Sequence, residues 1–168
     1  MENATFETVS KVLDSRIYYG GLHFLVGVTG SGKSSICEML EKDNKSGAKF
    51  FDVQTDSSVK CYEKLANDIQ EINTPIVVDG IVLGTDASSK VFDALSNHSH
   101  VKKLGVLILH QSLNDMTKTH VNSADSIALI ANHYPRVNGT VYLHSTPVDD
   151  NMSAYYDDLV RFWRGFSH

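Results

Sequence analysis

The sequence predicts an α/β chain: a mostly parallel sheet of five to six strands held between helices in three layers. Three observations predict it. Short apolar, β-branched runs alternate with stretches of helical periodicity. Those runs are near-continuously apolar, as expected of parallel strands covered on both faces. Between one such run and one such helix lies a glycine-rich stretch, Gly27-Val28-Thr29-Gly30-Ser31-Gly32-Lys33-Ser34.

The elements follow in order. Residues 4–17 place Phe6, Val9, Val12, Leu13 and Ile17 at helical spacing, so a short amphipathic helix covers the core. Tyr18-Tyr19-Gly20-Gly21 breaks it and leads into the first strand, 22–26. A helix begins near Lys33 and ends near Lys42, before the loop composition of 43–47. Residues 48–53 read as the second strand. Residues 59–71 read as a helix with Cys61, Leu65, Ile69 and Ile72 inward, stopped by Asn73-Thr74-Pro75. The third strand is 76–79, and a helix over 88–97 carries Val91, Phe92 and Leu95. The fourth strand, 104–110, runs directly into Gln111-Ser112; a short helix over 113–121 and a fifth strand over 126–130 follow. Residues 139–144 make a sixth strand, a candidate for a sheet edge. Residues 153–166, with Tyr156, Leu159, Val160, Phe162 and Trp163, form a closing helix or an interface segment. The expected organisation is one domain: an N-terminal helix and linker over 1–21, a core over 22–144, and a closing or interface segment over 145–168.

The glycine-rich stretch fits G-x-x-x-x-G-K-[ST] in its required setting of strand, loop and helix, the phosphate-binding unit of P-loop NTPases. Its chemistry follows from the residue types. Gly27, Gly30 and Gly32 let the backbone turn tightly and approach phosphates without a side chain in the way. Successive N–H groups then converge as an anion-binding nest, and the following helix adds its free N–H groups and positive dipole end. Lys33 is expected to reach the β- and γ-phosphates of ATP, and the Ser34 hydroxyl to bind Mg²⁺. Gly27 through Ser35 (Gly27, Val28, Thr29, Gly30, Ser31, Gly32, Lys33, Ser34, Ser35) are the candidate nucleotide-binding residues.

Composition narrows the classes. The 168 residues suit one domain with a sizeable core, and 42% hydrophobic with 21% charged residues is ordinary for a globular chain. No apolar run approaches the roughly 20 residues of a transmembrane helix, and the acidic N-terminus lacks an apolar signal core. An intracellular protein with no membrane contact is the expectation. Cys37 and Cys61 are the only cysteines, and Cys37 falls in the loop's helix, so a disulfide framework is not expected. With a net charge of −5, no general basic surface advertises nucleic-acid binding, although a few lysines can still line a ring's pore. The histidines are scattered without metal-ligand spacing.

Asp79 closes an apolar strand 45 residues after Ser34, the Walker B pattern that holds Mg²⁺ opposite the loop serine. Read structurally, Asp79-Gly80 is also a turn signal. Gln111, directly after the fourth strand, is placed to contact the γ-phosphate or attacking water; a polar residue leaving a sheet is the plainer alternative. One helix separates Asp79 from the fourth strand, which places that strand between those of the loop and of Asp79.

Taken with Asn122-Ser123-Ala124-Asp125, the apolar run 126–130 and Arg136 beyond it, these segments over about 22–144 resemble the genome-packaging ATPases of poxvirus-like DNA viruses, in the FtsK/HerA group. The resemblance implies a homo-oligomeric ring that drives nucleic acid, DNA or RNA, into a capsid, with capsid or other viral proteins as partners. It also implies that Lys33 and Ser34 bind phosphates and Mg²⁺, that Asp79 holds Mg²⁺, that Gln111 senses the γ-phosphate, and that Arg136 acts on a neighbour's nucleotide. As a residue, Arg136, one of four arginines, equally fits a solvated loop charge. One position departs from the family: Gly80 stands where a second acid usually serves as base. Glycine can neither accept a proton nor orient water, so Asp52, Asp56 and Asp86 become the candidates.

Two other classes remain open. A small-molecule or nucleotide kinase shares the loop, but clamps phosphates with arginines, and none lies between the loop and residue 135. A nucleotide-binding module with little turnover would account for Gly80. A GTPase fits poorly, because Asn44-Lys45-Ser46-Gly47 falls too early for a base-reading Asn-Lys-x-Asp motif.

Overall fold

The computed structural model describes residues 2–27, 31–53, 59–111, 116–131 and 140–145. In chain order the elements are β1 (Glu2–Ala4), α1 (Phe6–Tyr19), β2 (Leu22–Val26), α2 (Lys33–Asp43), β3 (Lys49–Asp52), α3 (Val59–Gln70), β4 (Ile76–Asp79), α4 (Asp86–His100), β5 (Val106–His110), α5 (Lys118–Ser123), β6 (Ser126–Ala131) and β7 (Thr140–Ser145). They build one seven-stranded sheet in the order β1-β7-β6-β2-β5-β4-β3. Strands β6, β2, β5, β4 and β3 are parallel neighbours, whereas β7 runs antiparallel to β6 and β1 antiparallel to β7.

The unbroken apolar runs have a direct cause. Alternate strand residues feed two different cores. Leu25, Val77, Leu107, Leu109, Ala128 and Ile130 pack with Val9, Leu13 and Ile17 of α1 and Ile36 and Leu40 of α2. Phe24, Val26, Val78, Ile108, Ile127 and Leu129 pack on the other face with Leu65 and Ile69 of α3, Val91 and Leu95 of α4, and Val121 of α5. This is the three-layer α/β arrangement. Helix α1 starts where the Thr5 side chain accepts a hydrogen bond from the Thr8 amide. It ends at Gly20, whose φ of 105° few other residues tolerate.

The structure departs from the sequence expectations at several places. Strand β1 was not among the expected elements. Glu2-Asn3-Ala4 carries no strand pattern of its own, and pairs because β7 offers it open backbone partners at Leu143, Tyr142 and Val141. In consequence β7 is not the sheet edge. Helix α4 starts at Asp86 rather than Ser88, because Thr85 and Ser88 form a reciprocal capping box, and it runs on to His100. Helix α5 starts at Lys118 behind the cap of Thr117. On α3 the buried face is Tyr62, Leu65, Ala66 and Ile69; Cys61, expected inward, is half-buried beside Tyr62, which is 1% exposed. Residues 146–168, with the expected closing segment, lie outside the described residues.

Candidate functional site

The C-terminal ends of β2, β5, β4 and β3 lie side by side, and the loops leaving them carry the candidate residues. Gly27 follows β2, and its amide donates to the carbonyl of His110 at 3.0 Å. A Cβ at Gly27 would stand 2.4 Å from Ser31 Oγ and 3.1 Å from Ile130 Cβ, so only glycine allows the loop to close this tightly. Ser31 is buried, and its hydroxyl has no hydrogen-bond partner among the described residues. Gly32 precedes α2 with φ 110°, and a side chain there would strike the Phe6 ring at 2.4 Å. Helix α2 therefore begins without a side-chain cap, and its first-turn N–H groups are left for a ligand. Val28, Thr29 and Gly30 lie outside the described residues.

Lys33 is half-buried and its Nζ donates to the Gly27 carbonyl, so it lies back across the loop. Burial pushes its ammonium below the ordinary lysine range, and the negative charge of Asp79 opposes that shift. Ser34 and Ser35, in the first turn of α2, are exposed.

Asp79 ends β4, in register with Leu109 on one side and Asp52 on the other. Its carbonyl accepts the Val53 amide at 2.9 Å, which ties the ends of β3 and β4 together. Ser34, Asp52 and Asp79 line one cleft of about 360 Å³, together with Cys37, Glu38 and Glu41. The cleft is acidic enough to act on its own thiol: burial, then the charges of Asp79, Glu41, Asp52 and Glu38, push Cys37 up to about 12. A hydroxyl facing carboxylates supplies hard oxygen donors, which fit Mg²⁺. A larger hollow of about 430 Å³ between α1 and α2, rimmed by Tyr18, Tyr19 and Met39, includes neither the loop nor Asp79.

Of the two candidate bases among the described residues, Asp52 lines this cleft and Asp86 does not. Asp86 is exposed in the first turn of α4, where a negative charge favours the helix dipole, and Asp56 lies outside the described residues. Gly80, where the second acid would stand, has φ 88°. A side chain is disfavoured in that conformation by roughly 1–2 kcal/mol. Gly80→Glu is therefore expected to lower the melting temperature by about 2–8 °C, which differential scanning measures. An unchanged melting temperature would mean that the backbone at Gly80 relaxes to negative φ and can carry an acid.

Gln111 is exposed and leaves β5, whose place between β2 and β4 sets it between the phosphate loop and Asp79, as the sequence expected. Arg136 lies outside the described residues. Sequence reasoning missed two further participants. Tyr62 accepts a hydrogen bond from the Val82 amide at 2.9 Å, and His110 Nδ1 donates to the Ile81 carbonyl at 3.3 Å, so both hold the segment behind Asp79. Nothing in the local pattern marks either; a histidine at a strand end is ordinary. Elsewhere among the described residues, His23 contacts Ser126 and Gly20, His98 contacts Thr74, His100 contacts Ser96, and His120 accepts from the Thr117 amide at the start of α5.

No helix among the described residues is long and apolar enough to cross a membrane. No protein-family model matches the sequence, and no curated protein does. Among solved structures, the chain is similar to the N-terminal domain of zonular occludens toxin from Neisseria meningitidis, with a TM-score of 0.56 and 15% identity over 83% of this chain and 91% of that one. It is similar to the Legionella pneumophila ATPase DotB, with a TM-score of 0.52 and 9% identity, over 96% of this chain and 57% of that one. The genome packaging NTPase B204 from Sulfolobus turreted icosahedral virus 2, in complex with AMPPCP, matches with a TM-score of 0.49 and 15% identity over 69% of this chain and 78% of that one. At these identities the likeness is one of fold: the chain has the α/β architecture of P-loop NTPases.

Proposed function

We propose that this chain is a P-loop ATPase of the motor type, which binds and hydrolyses Mg-ATP and couples hydrolysis to movement of nucleic acid. The observation that carries this is the shared cleft: Ser34 from the start of α2 and Asp79 from the end of β4 face one acidic space below a loop closed on Gly27 and Gly32. Bound there, magnesium would polarise the β- and γ-phosphates. Ser34 and Asp79 would hold it, and Lys33 would leave the Gly27 carbonyl for the phosphates. Asp52, beside Asp79, would orient the attacking water and take its proton as the bond between the γ-phosphorus and the bridging oxygen breaks, releasing ADP and phosphate. Gln111 would report the γ-phosphate to β5. The motif order over 22–144 supports a packaging role like that of the poxvirus-like viral ATPases, in a ring where Arg136 of one copy reaches the nucleotide of the next, with capsid or other viral proteins as partners.

A nucleotide-binding module with little turnover is the second reading, favoured by the left-handed Gly80, which no acid replaces without strain. ATP turnover and sedimentation, each with and without single- and double-stranded DNA and RNA, separate these. The expected result is slow basal turnover that rises with nucleic acid, alongside assembly in the presence of a non-hydrolysable ATP analogue. A chain that binds nucleotide but turns none over under any of these conditions is the module. One that stays monomeric and phosphorylates a small acceptor is a kinase.

A further inference from the structure

The geometry points to His110 as a positioning residue that fastens the segment behind Asp79 to the strand carrying Gln111, so that the two motifs move together. The inference rests on the ATPase reading of the site. Two hydrogen bonds and one chain neighbour make this residue the junction. Its imidazole Nδ1 donates to the carbonyl of Ile81, two residues past Asp79, at 3.3 Å. Its backbone carbonyl accepts the amide of Gly27, the first glycine of the phosphate loop, at 3.0 Å. Its chain neighbour is Gln111. The side chain is 3% exposed, so the bond to Ile81 is made away from solvent, where losing the donor would strand a buried carbonyl.

The segment 80–83 needs such a tether. It has no regular structure, and Gly80 sits in the left-handed region. Its other backbone holds among the described contacts are a long one, Gly80 amide to Leu109 carbonyl at 3.4 Å, and the Val82 amide to Tyr62 Oη at 2.9 Å. The side chains of Ile81 and Leu83 are buried and resist translation, but they do not orient the peptide planes between them. A hydrogen bond from β5 does. Any shift of Gln111 on meeting the γ-phosphate is carried by the imidazole to the Ile81–Val82 peptide, two residues past the metal-holding acid.

The test compares His110→Asn with His110→Leu. Asparagine places an N–H donor the same number of bonds from the backbone as Nδ1, whereas leucine keeps apolar bulk and loses the donor. His110→Leu is expected to lower kcat about tenfold, the scale of a small misplacement of catalytic groups, with KM and the affinity for an ATP analogue within about twofold of wild type. His110→Asn should restore most of kcat. In ligand-free protein, amide hydrogen exchange at Gly80 and Val82 should quicken in the leucine variant and not in the asparagine variant. Equal loss in both variants, or wild-type kcat and exchange in His110→Leu, overturns the inference. Nitrogen-15 NMR of the wild-type imidazole needs no variant: the neutral Nδ1–H tautomer is expected, and the Nε2–H tautomer overturns it. If the wild-type chain binds no nucleotide, the ATPase reading fails by itself, while the exchange and NMR results still decide whether the tether exists.

Discussion

Replacing Lys33 by alanine lowers the affinity for Mg-ATP by roughly 10²–10⁴-fold and leaves the fold intact. Lys33 stands at the start of α2, the one cation in the described part of the loop, with its Nζ resting on the Gly27 carbonyl. Phosphate oxygens replace that neutral acceptor with charged ones, and hydrogen bonds to charged groups contribute roughly 1.5–3 kcal/mol each. Two such bonds lost set the expected size. The fold survives because alanine favours helices, and because the ammonium is already disfavoured by burial. That burial also sets a pH dependence. The folded pKa lies below the usual lysine value, so the free protein loses this proton earlier as pH rises. Affinity therefore declines on the alkaline side from a pH below 10.5, and Lys33→Arg, which stays charged, should lack that decline. Calorimetry on the three proteins measures all of this. Wild-type affinity in Lys33→Ala would remove the loop from the nucleotide site.

Asp52→Asn lowers kcat by roughly 10²–10⁴-fold, the usual contribution of a well-placed base, with nucleotide affinity changed only a few-fold. Parallel pairing sets Asp52 directly across from Asp79, and both line the cleft that Ser34 enters. The two carboxylates can then divide their work across two strands rather than along one, Asp79 to the metal and Asp52 to the water. Asparagine keeps the shape and removes the proton acceptor. Asp79→Asn should instead weaken the dependence on magnesium, and Asp86→Asn, on the far side of the Thr85 cap, should leave turnover unchanged. Single-turnover rates at saturating Mg-ATP decide it. If Asp52→Asn keeps the wild-type rate, the base lies elsewhere and Asp56 is the next residue to replace.

The sequence by itself determined the glycine-rich turn from β2 into α2, the alternation of strands and helices, the parallel core and the place of the Gln111 strand between β2 and the strand of Asp79. Each of these follows from local pattern: a motif with fixed spacing, the periods of 2 and 3.6, and the single helix between Asp79 and the fourth strand. The tertiary structure alone decided what depends on register between segments distant in the chain. Glu2-Asn3-Ala4 has no strand signal and becomes β1 only because β7 leaves its backbone unpaired. Asp52 stands out from Asp86 only once β3 is laid against β4. Gly80 reads as a missing acid in sequence, and only its φ of 88° shows that the chain needs glycine there. His110 looks like one more scattered histidine until β5 is packed between β4 and β2, where its two polar ends meet Ile81 and Gly27. Side-chain period is local information, whereas pairing register and the filling of hydrogen bonds across strands are properties of the assembled sheet.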